Sequence, residues 1–246
     1  MNDNLTFKQR LYFRFFHIDD KLTFKHRLYF RFSHSLRSAF WKSFFRLKRV
    51  EAEKNIPKVY LKEENIRNLK TLLNREELIK NMPGKKVVAE IGVDHGDFSQ
   101  IILDITSPAK LYLIDCWADD RYHIGLKNLV EDKFSNEIDK GVVNINVGLS
   151  TDVLVTFPDN HFDWVYLDTN HTYQTTKAEL AILKSKVVSG GIIAGHDYTI
   201  GNWVSGFRYG VIEAVNEFCV TENWEIIFLT AEADHYRSFA IRKIVA

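Results

Sequence analysis

Cysteine and long apolar runs are both scarce in this sequence of 246 residues. Cys116 and Cys219 are its two cysteines. They are too few for the disulfide framework of a small secreted domain, so we expect a reducing, cytoplasmic setting. No apolar run approaches the roughly 20 residues of a membrane-spanning helix, and Lys8, Arg10 and Arg14 interrupt any apolar stretch of a signal peptide. With 46% hydrophobic residues, the chain has enough apolar side chains for one sizeable core.

Charge is distributed unevenly along the chain. Residues 1–50 contain 12 Lys/Arg and 3 Asp/Glu, a net charge of +9, whereas the remaining residues contain 21 and 29, a net charge of −8. The composition becomes polar over Glu51–Lys58, and Pro57 interrupts the pattern there. We therefore predict a basic aromatic arm over residues 1–56 and a catalytic domain over residues 57–246.

The predicted arm contains a near-duplicated segment. Leu5–Phe15 recurs 17 residues later as Leu22–Phe32, with a single difference between Gln9 and His26. Basic and aromatic residues in this pattern are typical of helices that bind an anionic membrane surface or a partner subunit, and of segments that bind RNA. A mobile arm without a partner is the third interpretation. Because residues 51–246 are acidic, nucleic acid is the least favoured partner.

After residue 85 the sequence alternates between strand-like and helix-like patterns. The predicted strands are 86–91, 110–115, 142–147, 162–167, 190–195, 224–229 and 237–244, and the predicted helices are 97–106, 121–138, 149–156, 171–187 and 207–219. An apolar stripe of period 3.6 predicts one more helix over 62–81. This alternation predicts an α/β fold of the Rossmann-like, doubly wound type. Its seven-stranded sheet is mostly parallel, with an antiparallel edge strand formed by the last two segments.

Glycine is sparse, yet two glycines mark the end of the first strong strand. The segment Val87–Ser99 is an apolar run that reaches Glu90, then Gly92 and Gly96 four positions apart, then a helix start that includes Ser99. The Gly-x-Gly-x-x-Gly fingerprint of dinucleotide sites is absent here. Acids at 90, 94 and 97 would repel a pyrophosphate but tolerate a cationic ligand. We predict that this turn binds a nucleoside-like cofactor at the carboxyl end of the strand.

The next two strand ends supply further candidates for that cofactor. Asp115 ends the second strand, where a carboxylate can accept the hydrogen bonds of both ribose hydroxyls, although a helix N-cap is the alternative. Trp117 follows and is a candidate to cover an adenine ring. Gly148 and Ser150 follow the third strand and are candidate contacts on the adenine side.

Two clusters of acids and histidines follow the fourth and fifth strands. The first cluster holds Asp168 and His171, and the second holds His196 and Asp197. Adjacent parallel strands bring their carboxyl ends together, so we expect one pocket. Asp168 and Asp197, with His196, could bind a divalent cation such as Mg²⁺, and His171 could be the general base. The alternative is that either histidine only packs at a helix end.

The motifs resemble those of one enzyme family. The turn Glu90-x-Gly92-x-x-x-Gly96-x-x-Ser99 resembles motif I of class I S-adenosylmethionine (SAM)-dependent methyltransferases. Tyr166–Tyr173, Ser189–Tyr198 and Gly210–Val215 resemble the branch that includes macrolide-sugar O-methyltransferases and proteins named cephalosporin hydroxylases. The resemblance covers about residues 60–245.

The resemblance implies SAM as cofactor, with Asp115 on the ribose, a divalent metal on Asp168 and Asp197, and His171 as base. The family commonly has a carboxylate where this chain has His196, a departure that leaves a softer metal or no metal as alternatives to Mg²⁺. The resemblance also implies a homo-oligomer.

We therefore predict a SAM-dependent O-methyltransferase that acts on a small hydroxylated acceptor, a sugar or a glycoconjugate precursor. The acceptor class comes from the resemblance alone. One alternative is an RNA methyltransferase that binds through the arm. The other is a catalytically silent SAM-fold scaffold that docks to a membrane or a partner, which would place the protein at the membrane periphery. The aromatic segment Ile200–Tyr209 is a candidate lid over the acceptor.

Overall fold

The structure, a computed structural model, describes residues 53–118, 123–202, 207–232 and 236–245. Nearly all of the predicted arm, with its duplicated segment, lies outside these residues, so the boundary between 56 and 57 stays a prediction. Residues Ile56–Ala246 form one unit. None of the helices in the described part of the chain is long and apolar enough to cross a membrane.

The strands and helices alternate along the chain after residue 85 as predicted, except that two short strands, Gly201–Asn202 and Phe207–Arg208, were not predicted and the helix predicted over 207–219 begins at Val211. The strands are β1 Lys70–Leu72, β2 Val87–Ile91, β3 Lys110–Asp115, β4 Val143–Val147, β5 Phe162–Leu167, β6 Val187–Gly195, β7 Gly201–Asn202, β8 Phe207–Arg208, β9 Trp224–Thr230 and β10 Phe239–Lys243. The helices are α1 Arg75–Lys80, α2 Asp97–Thr106, α3 Ile124–Lys133, α4 Ser135–Asp139, α5 Ser150–Leu154, α6 Tyr173–Lys186 and α7 Val211–Glu222. A 3₁₀ turn covers Glu63–Asn65.

Eight of the described strands form one sheet in the order β1-β9-β10-β6-β5-β2-β3-β4. Strand β10 pairs antiparallel with both β6 and β9, and the other pairings are parallel. The predicted mostly parallel Rossmann-like class is confirmed. The sheet has one strand more than predicted, and its antiparallel strand lies between β9 and β6.

Side chains on the central strands alternate between two apolar layers. On one face, Ile91 of β2 belongs to the same cluster as Leu180 of α6 and Val215 of α7. On the other face, Val88 belongs to a cluster with Ile79 of α1, as well as residues of α2 and α3. Because successive residues of a strand point to opposite faces, a strand buried on both sides is a continuous apolar run. Helices therefore cover both faces of the sheet.

The helix predicted over 62–81 is wrong. Only Arg75–Lys80 is α-helical there, and Lys70–Leu72 is a strand paired with Phe228–Thr230. The buried amide of Asn65 donates hydrogen bonds to the carbonyl oxygens of Cys219 and Trp224, at 3.1 and 2.8 Å. This anchor and the free edge of β9 outweigh the helical spacing, which is a weak local preference.

The predicted lid contains a short two-stranded ribbon. Gly201–Asn202 pairs antiparallel with Phe207–Arg208. Residues 203–206, which include Trp203 and Gly206, lie outside the described residues. The assignment of this segment as a lid stays a prediction.

Candidate functional site

A cavity of about 700 Å³ opens at the carboxyl ends of β2, β3, β4 and β5. These four strands are parallel neighbours in the sheet, and the crevice beyond such strand ends is where α/β folds bind ligands. The structure brings seven of the predicted site residues into its wall: Glu90, Gly92, Asp115, Gly148, Ser150, Asp168 and His171. Gly96, Ser99, Trp117, His196 and Asp197 lie outside the wall.

The backbone geometry of the turn after β2 requires glycine at two positions. Gly92 has φ +91°, and a Cβ atom there would lie 2.0 Å from the carbonyl oxygen of Asp168. Gly96 has φ +73°, caps the N-terminus of α2, and a Cβ would lie 2.8 Å from the ring of Phe134. Any side chain at Gly92 would therefore push β2 and β5 apart, because the obstacle is backbone.

Asp115 holds the glycine turn closed against the end of β3. Its Oδ2 accepts hydrogen bonds from the backbone N–H groups of Val93 and Asp94, at 2.7 and 3.1 Å, and its Oδ1 accepts one from Trp117, at 3.1 Å. The carboxylate still lines the cavity. One acid therefore both orders the loop and lines the cavity.

Trp117 does not occupy the position predicted for it. Its side chain is 2% exposed, and the indole N–H donates a hydrogen bond of 3.1 Å to the carbonyl oxygen of Asp94. The ring packs in the same apolar cluster as Val93 and Phe98. The ring packs against the glycine turn and lies outside the cavity wall. The predicted contact between Trp117 and an adenine is therefore not supported by the structure.

Glu90 and Ser99 form a buried pair beneath the turn. The Ser99 hydroxyl donates a hydrogen bond to a Glu90 oxygen, and both residues are at most 1% exposed. Burial raises the pKa of Glu90 to about 8, even though the hydrogen bond from Ser99 and the charge of Arg75 oppose the rise. Glu90 is therefore mostly neutral at pH 7.

The wall after β4 is linked to α6 through a buried acid that the sequence did not single out. Ser150 Oγ and Thr169 Oγ1 donate hydrogen bonds to the two carboxylate oxygens of Glu179, at 2.6 and 3.1 Å. Burial raises the pKa of Glu179 to about 7. Gly148 donates its backbone N–H to the Asp115 carbonyl at 3.0 Å. Glu179 lies on the same buried face of α6 as Thr176 and Leu183, so its helical spacing was the signal that could have identified it.

His171 and Asp197 form a close and largely buried pair at the site. The distance from His171 Nδ1 to Asp197 Oδ2 is 2.9 Å, and the two side chains are 24% and 5% exposed. Their backbones adopt φ +61° and +58°, which is uncommon for residues other than glycine and is typical of functional sites. The ring of Tyr209 lies 4.7 Å from that of His171. This packing fixes the plane of the imidazole.

Electrostatic effects of opposite sign act on this pair. Burial lowers the pKa of His171, but the hydrogen bond and charge of Asp197, with the charges of Asp168 and Glu179, outweigh it and raise the pKa above its usual value. Burial raises the pKa of Asp197, but hydrogen bonds from His171 and His196 hold it well below its usual range. Asp197 is therefore charged and stabilises the protonated form of His171.

His196 lies behind this pair. Its Nδ1 is 3.7 Å from Asp168 Oδ2 and 3.6 Å from Asp197 Oδ1, and its Nε2 is buried without a hydrogen-bond partner. Donor atoms of Asp168, His171 and Asp197 lie within 4.8 Å of one another, a spacing that could hold a metal ion. The candidate metal ligands in the structure are therefore Asp168, His171 and Asp197, with His171 in place of the predicted His196.

The residues fit a metal ion poorly as they are arranged. Asp168 is paired with Arg75, and Asp197 is paired with His171. A cation held by both carboxylates would lie close to the guanidinium of Arg75, whose positive charge repels it. The arrangement suits the orientation of a histidine better than the coordination of a cation.

Arg75 is a second residue that sequence reasoning missed. Its Nη2 lies 3.3 Å from Asp168 Oδ2, and its guanidinium carbon lies 3.5 Å from the centroid of the Phe98 ring. It lines the cavity from the first position of α1. The sequence offered no sign of this role, because Arg75 lies within the segment 62–81 that was predicted as one long helix.

Comparison with known proteins agrees with this architecture. Residues 89–198, less than half of the chain, match the family Methyltransf_24, described as "Methyltransferase domain". No curated protein matches the sequence.

Three solved structures share the fold. The pyocyanin biosynthetic protein PhzM has a TM-score of 0.53 at 12% identity, over 70% of this chain and 55% of that one. The M1A22 tRNA methyltransferase TrmK of B. subtilis has a TM-score of 0.51 at 14% identity, over 70% and 67%. A Streptococcus mutans protein in complex with SAH, provisionally described as a methyltransferase, has a TM-score of 0.50 at 10% identity, over 69% and 96%.

These likenesses concern the fold, since the identities are low. The chain spans little more than half the length of the pyocyanin biosynthetic protein. Residues 89–198 match the model of a methyltransferase domain, and the chain shares the fold of these three structures.

Proposed function

We propose that the chain transfers a methyl group from SAM to a hydroxyl of a small acceptor, a sugar or a glycoconjugate precursor. The observation that carries this proposal is His171, which lines the same cavity as the glycine turn and Asp115 and is held from outside the wall by Asp197 at 2.9 Å. We assign a hydroxyl as the acceptor because a histidine base can remove the proton of an O–H group. The sugar class rests on the resemblance of the Asp168 and Asp197 motifs to macrolide-sugar O-methyltransferases.

The cofactor would lie along the row of strand ends. Its adenine would contact Gly148 and Ser150 after β4, and its ribose hydroxyls would donate hydrogen bonds to Asp115 at the end of β3. The methionyl part would then reach the glycine turn after β2. An acidic wall suits the sulfonium, which carries a positive charge.

His171 would act as the general base. Asp197 engages Nδ1, which leaves Nε2 as the nitrogen that accepts a proton. As Nε2 takes the proton of the acceptor hydroxyl, the oxygen attacks the methyl carbon. The bond between that carbon and sulfur breaks, and its electron pair stays on sulfur, which gives S-adenosylhomocysteine, the methyl ether and a protonated His171. Asp197 stabilises the charge that forms on the imidazole.

The involvement of a metal ion stays a prediction, and we assign no step of the reaction to it. A divalent ion on Asp168, His171 and Asp197 would remove His171 from its role as base. The two existing pairs favour the metal-free alternative.

The arm leads to a separate proposal about partners. Its net charge of +9 and its duplicated aromatic segment support docking to an anionic membrane surface or a protein partner. Assembly into a homo-oligomer follows from the resemblance alone. Removing residues 1–50 should abolish membrane association and leave turnover of a small acceptor intact.

The first experiment is calorimetric titration of the full chain with SAM, with EDTA and with added Mg²⁺. We expect binding in both conditions, and a loss of binding in Asp115→Ala. Asp132→Ala is the matched control, because Asp132 is exposed on α3 and outside the cavity wall. Absence of SAM binding in the unmodified chain would refute the proposal.

The second experiment supplies methyl-labelled SAM with a panel of hydroxylated sugars, nucleotide sugars and bulk RNA. Label in a sugar supports the proposal. Label in RNA and none in the sugars would replace it with RNA methylation. Label in no acceptor, despite tight SAM binding, would favour the scaffold interpretation.

A further inference from the structure

The cavity wall is strongly asymmetric in charge. Besides Glu90, which is mostly neutral at pH 7, four acids line it (Asp94, Asp97, Asp115 and Asp168), whereas Arg75 is its single Lys or Arg among the described residues. SAM carries one carboxylate along with its ammonium and sulfonium groups. A ligand carboxylate in an acidic cavity needs a cationic partner, because its burial without one is unfavourable.

Arg75 lies at the end of the cavity where the proposed cofactor has its carboxylate. Adenine contacts after β4 and ribose contacts after β3 put the methionyl part next to β2 and β5. Arg75 is on that side, since its guanidinium contacts Asp168 at the end of β5 and Phe98 at the start of α2. His171 is also on that side of the wall, where the acceptor would enter.

The guanidinium is held in place before any ligand binds. The Arg75 backbone N–H donates a hydrogen bond of 2.6 Å to Glu232, and its guanidinium stacks on the Phe98 ring. A guanidinium has five N–H donors. Asp168 accepts from one of them, and Nε is buried without a partner. The remaining donors can bind a second carboxylate while the first contact is kept.

We propose that Arg75 binds the carboxylate of the methionyl part of SAM and thereby selects the complete amino-acid cofactor. This inference rests on the proposed function. Arg75 is a positioning residue, since its contact sets where the sulfonium methyl lies relative to His171. The required chemistry is a carboxylate, and the cofactor rather than the acceptor is its source.

The test compares SAM with decarboxylated SAM by calorimetry on the full chain, without any acceptor. The unmodified chain should bind SAM about 10- to 100-fold more tightly than decarboxylated SAM, the range typical of a charge-assisted hydrogen bond. Arg75→Gln should lose that preference, with weakened SAM binding and an affinity for decarboxylated SAM that stays within about twofold. Arg75→Lys should restore part of it. Arg67→Gln, an exposed change outside the cavity wall, is the matched control.

The outcomes separate the two proposals. Binding of neither ligand by the unmodified chain refutes both. Equal affinity for SAM and decarboxylated SAM in the unmodified chain refutes the role of Arg75 alone, and it needs no variant to fold. An equal loss of both affinities in Arg75→Gln also refutes that role, because it shows that Arg75 only maintains the shape of the cavity.

Discussion

The two halves of the cavity are built in different ways. The donor half, around the glycine turn and Asp115, is held mainly by backbone groups. Asp115 accepts hydrogen bonds from three backbone N–H groups, and Gly92 lets the turn approach β5 closely. On the reactive half, charged side chains hold one another, through Arg75 with Asp168 and His171 with Asp197. The shape of the donor half is therefore fixed by the backbone. The arrangement of the reactive half depends on the charges of its side chains, which pH and single substitutions can change.

The two halves meet where the backbone after β2 contacts the backbone of Asp168. Gly92 in the donor half lies against the carbonyl of Asp168 in the reactive half, and the Asp168 N–H donates a hydrogen bond of 2.7 Å to the carbonyl of Ile91. A change at this contact should disturb both halves. Changes elsewhere should affect one half at a time.

The largest effect is expected from Gly92→Ala. The new methyl group would overlap the Asp168 carbonyl, so we expect SAM binding to be lost and the free energy of unfolding to fall by about 3–5 kcal/mol. Gly190→Ala is the matched control. Gly190 has φ +76° with nothing within 4 Å of an added Cβ, so it should lose only the about 1–2 kcal/mol of a left-handed residue. Chemical denaturation measures both variants, and equal losses would contradict the clash.

His171→Gln should separate the halves. Without the base, kcat should fall by about 10²–10⁴-fold, while the Kd for SAM stays unchanged because the donor half is intact. Methyl-transfer assays and calorimetry measure the two quantities. His161→Gln, at a histidine outside the cavity wall, should leave kcat unchanged. A parallel loss of SAM affinity in His171→Gln would show that the halves are not independent.

Asp197→Asn tests the charge balance through the pH profile. The base must be unprotonated, so kcat should rise with pH through the raised pKa of His171. Removing the Asp197 charge should move that rise to lower pH, although Asp168 and Glu179 still raise the pKa. The plateau should fall by up to about 10⁴-fold, because the carboxylate no longer holds the tautomer. A profile of unchanged midpoint would mean that another group titrates.

The smallest effect is expected from Glu90→Gln. The pKa of Glu90 is about 8 in the folded chain against an ordinary 4.5, so its protonated form stabilises the fold below the ordinary pKa. That contribution is lost as pH rises through about 8. Glutamine mimics the neutral acid, so SAM affinity at pH 6 should change little. The Tm of the variant relative to the unmodified chain should increase between pH 5 and 8.5, by about 2–4 °C for each kcal/mol. A Tm difference that does not vary with pH would contradict a buried neutral Glu90.

The donor half could be predicted from sequence because local patterns specify it. Gly92 and Gly96 are spaced for a turn after an apolar strand, and Asp115 ends the next strand, so chain order and parallel pairing suffice to bring them together. Trp117 shows the limit of such reasoning. The sequence places Trp117 two residues after Asp115, but the direction of its ring depends on packing against α2 and the glycine turn.

The reactive half could be predicted only in part. The strand ends correctly located Asp168, His171, His196 and Asp197 near one another, but their pairing could not be read from spacing. Arg75 escaped notice because it is remote in sequence from β5, and its segment was predicted as one long helix. Asn65, through its two long-range hydrogen bonds, gave that segment a different path.

The sequence by itself determined the fold class, the edge of the sheet that holds the cavity, and the residues that end each strand. Apolar periodicity and glycine spacing are local properties, and the pairing of parallel strands makes their ends converge. The tertiary structure decided which acid pairs with which cation and which ring faces the cavity. Those choices depend on distances of 3–4 Å between side chains far apart in sequence, where burial and charge act together.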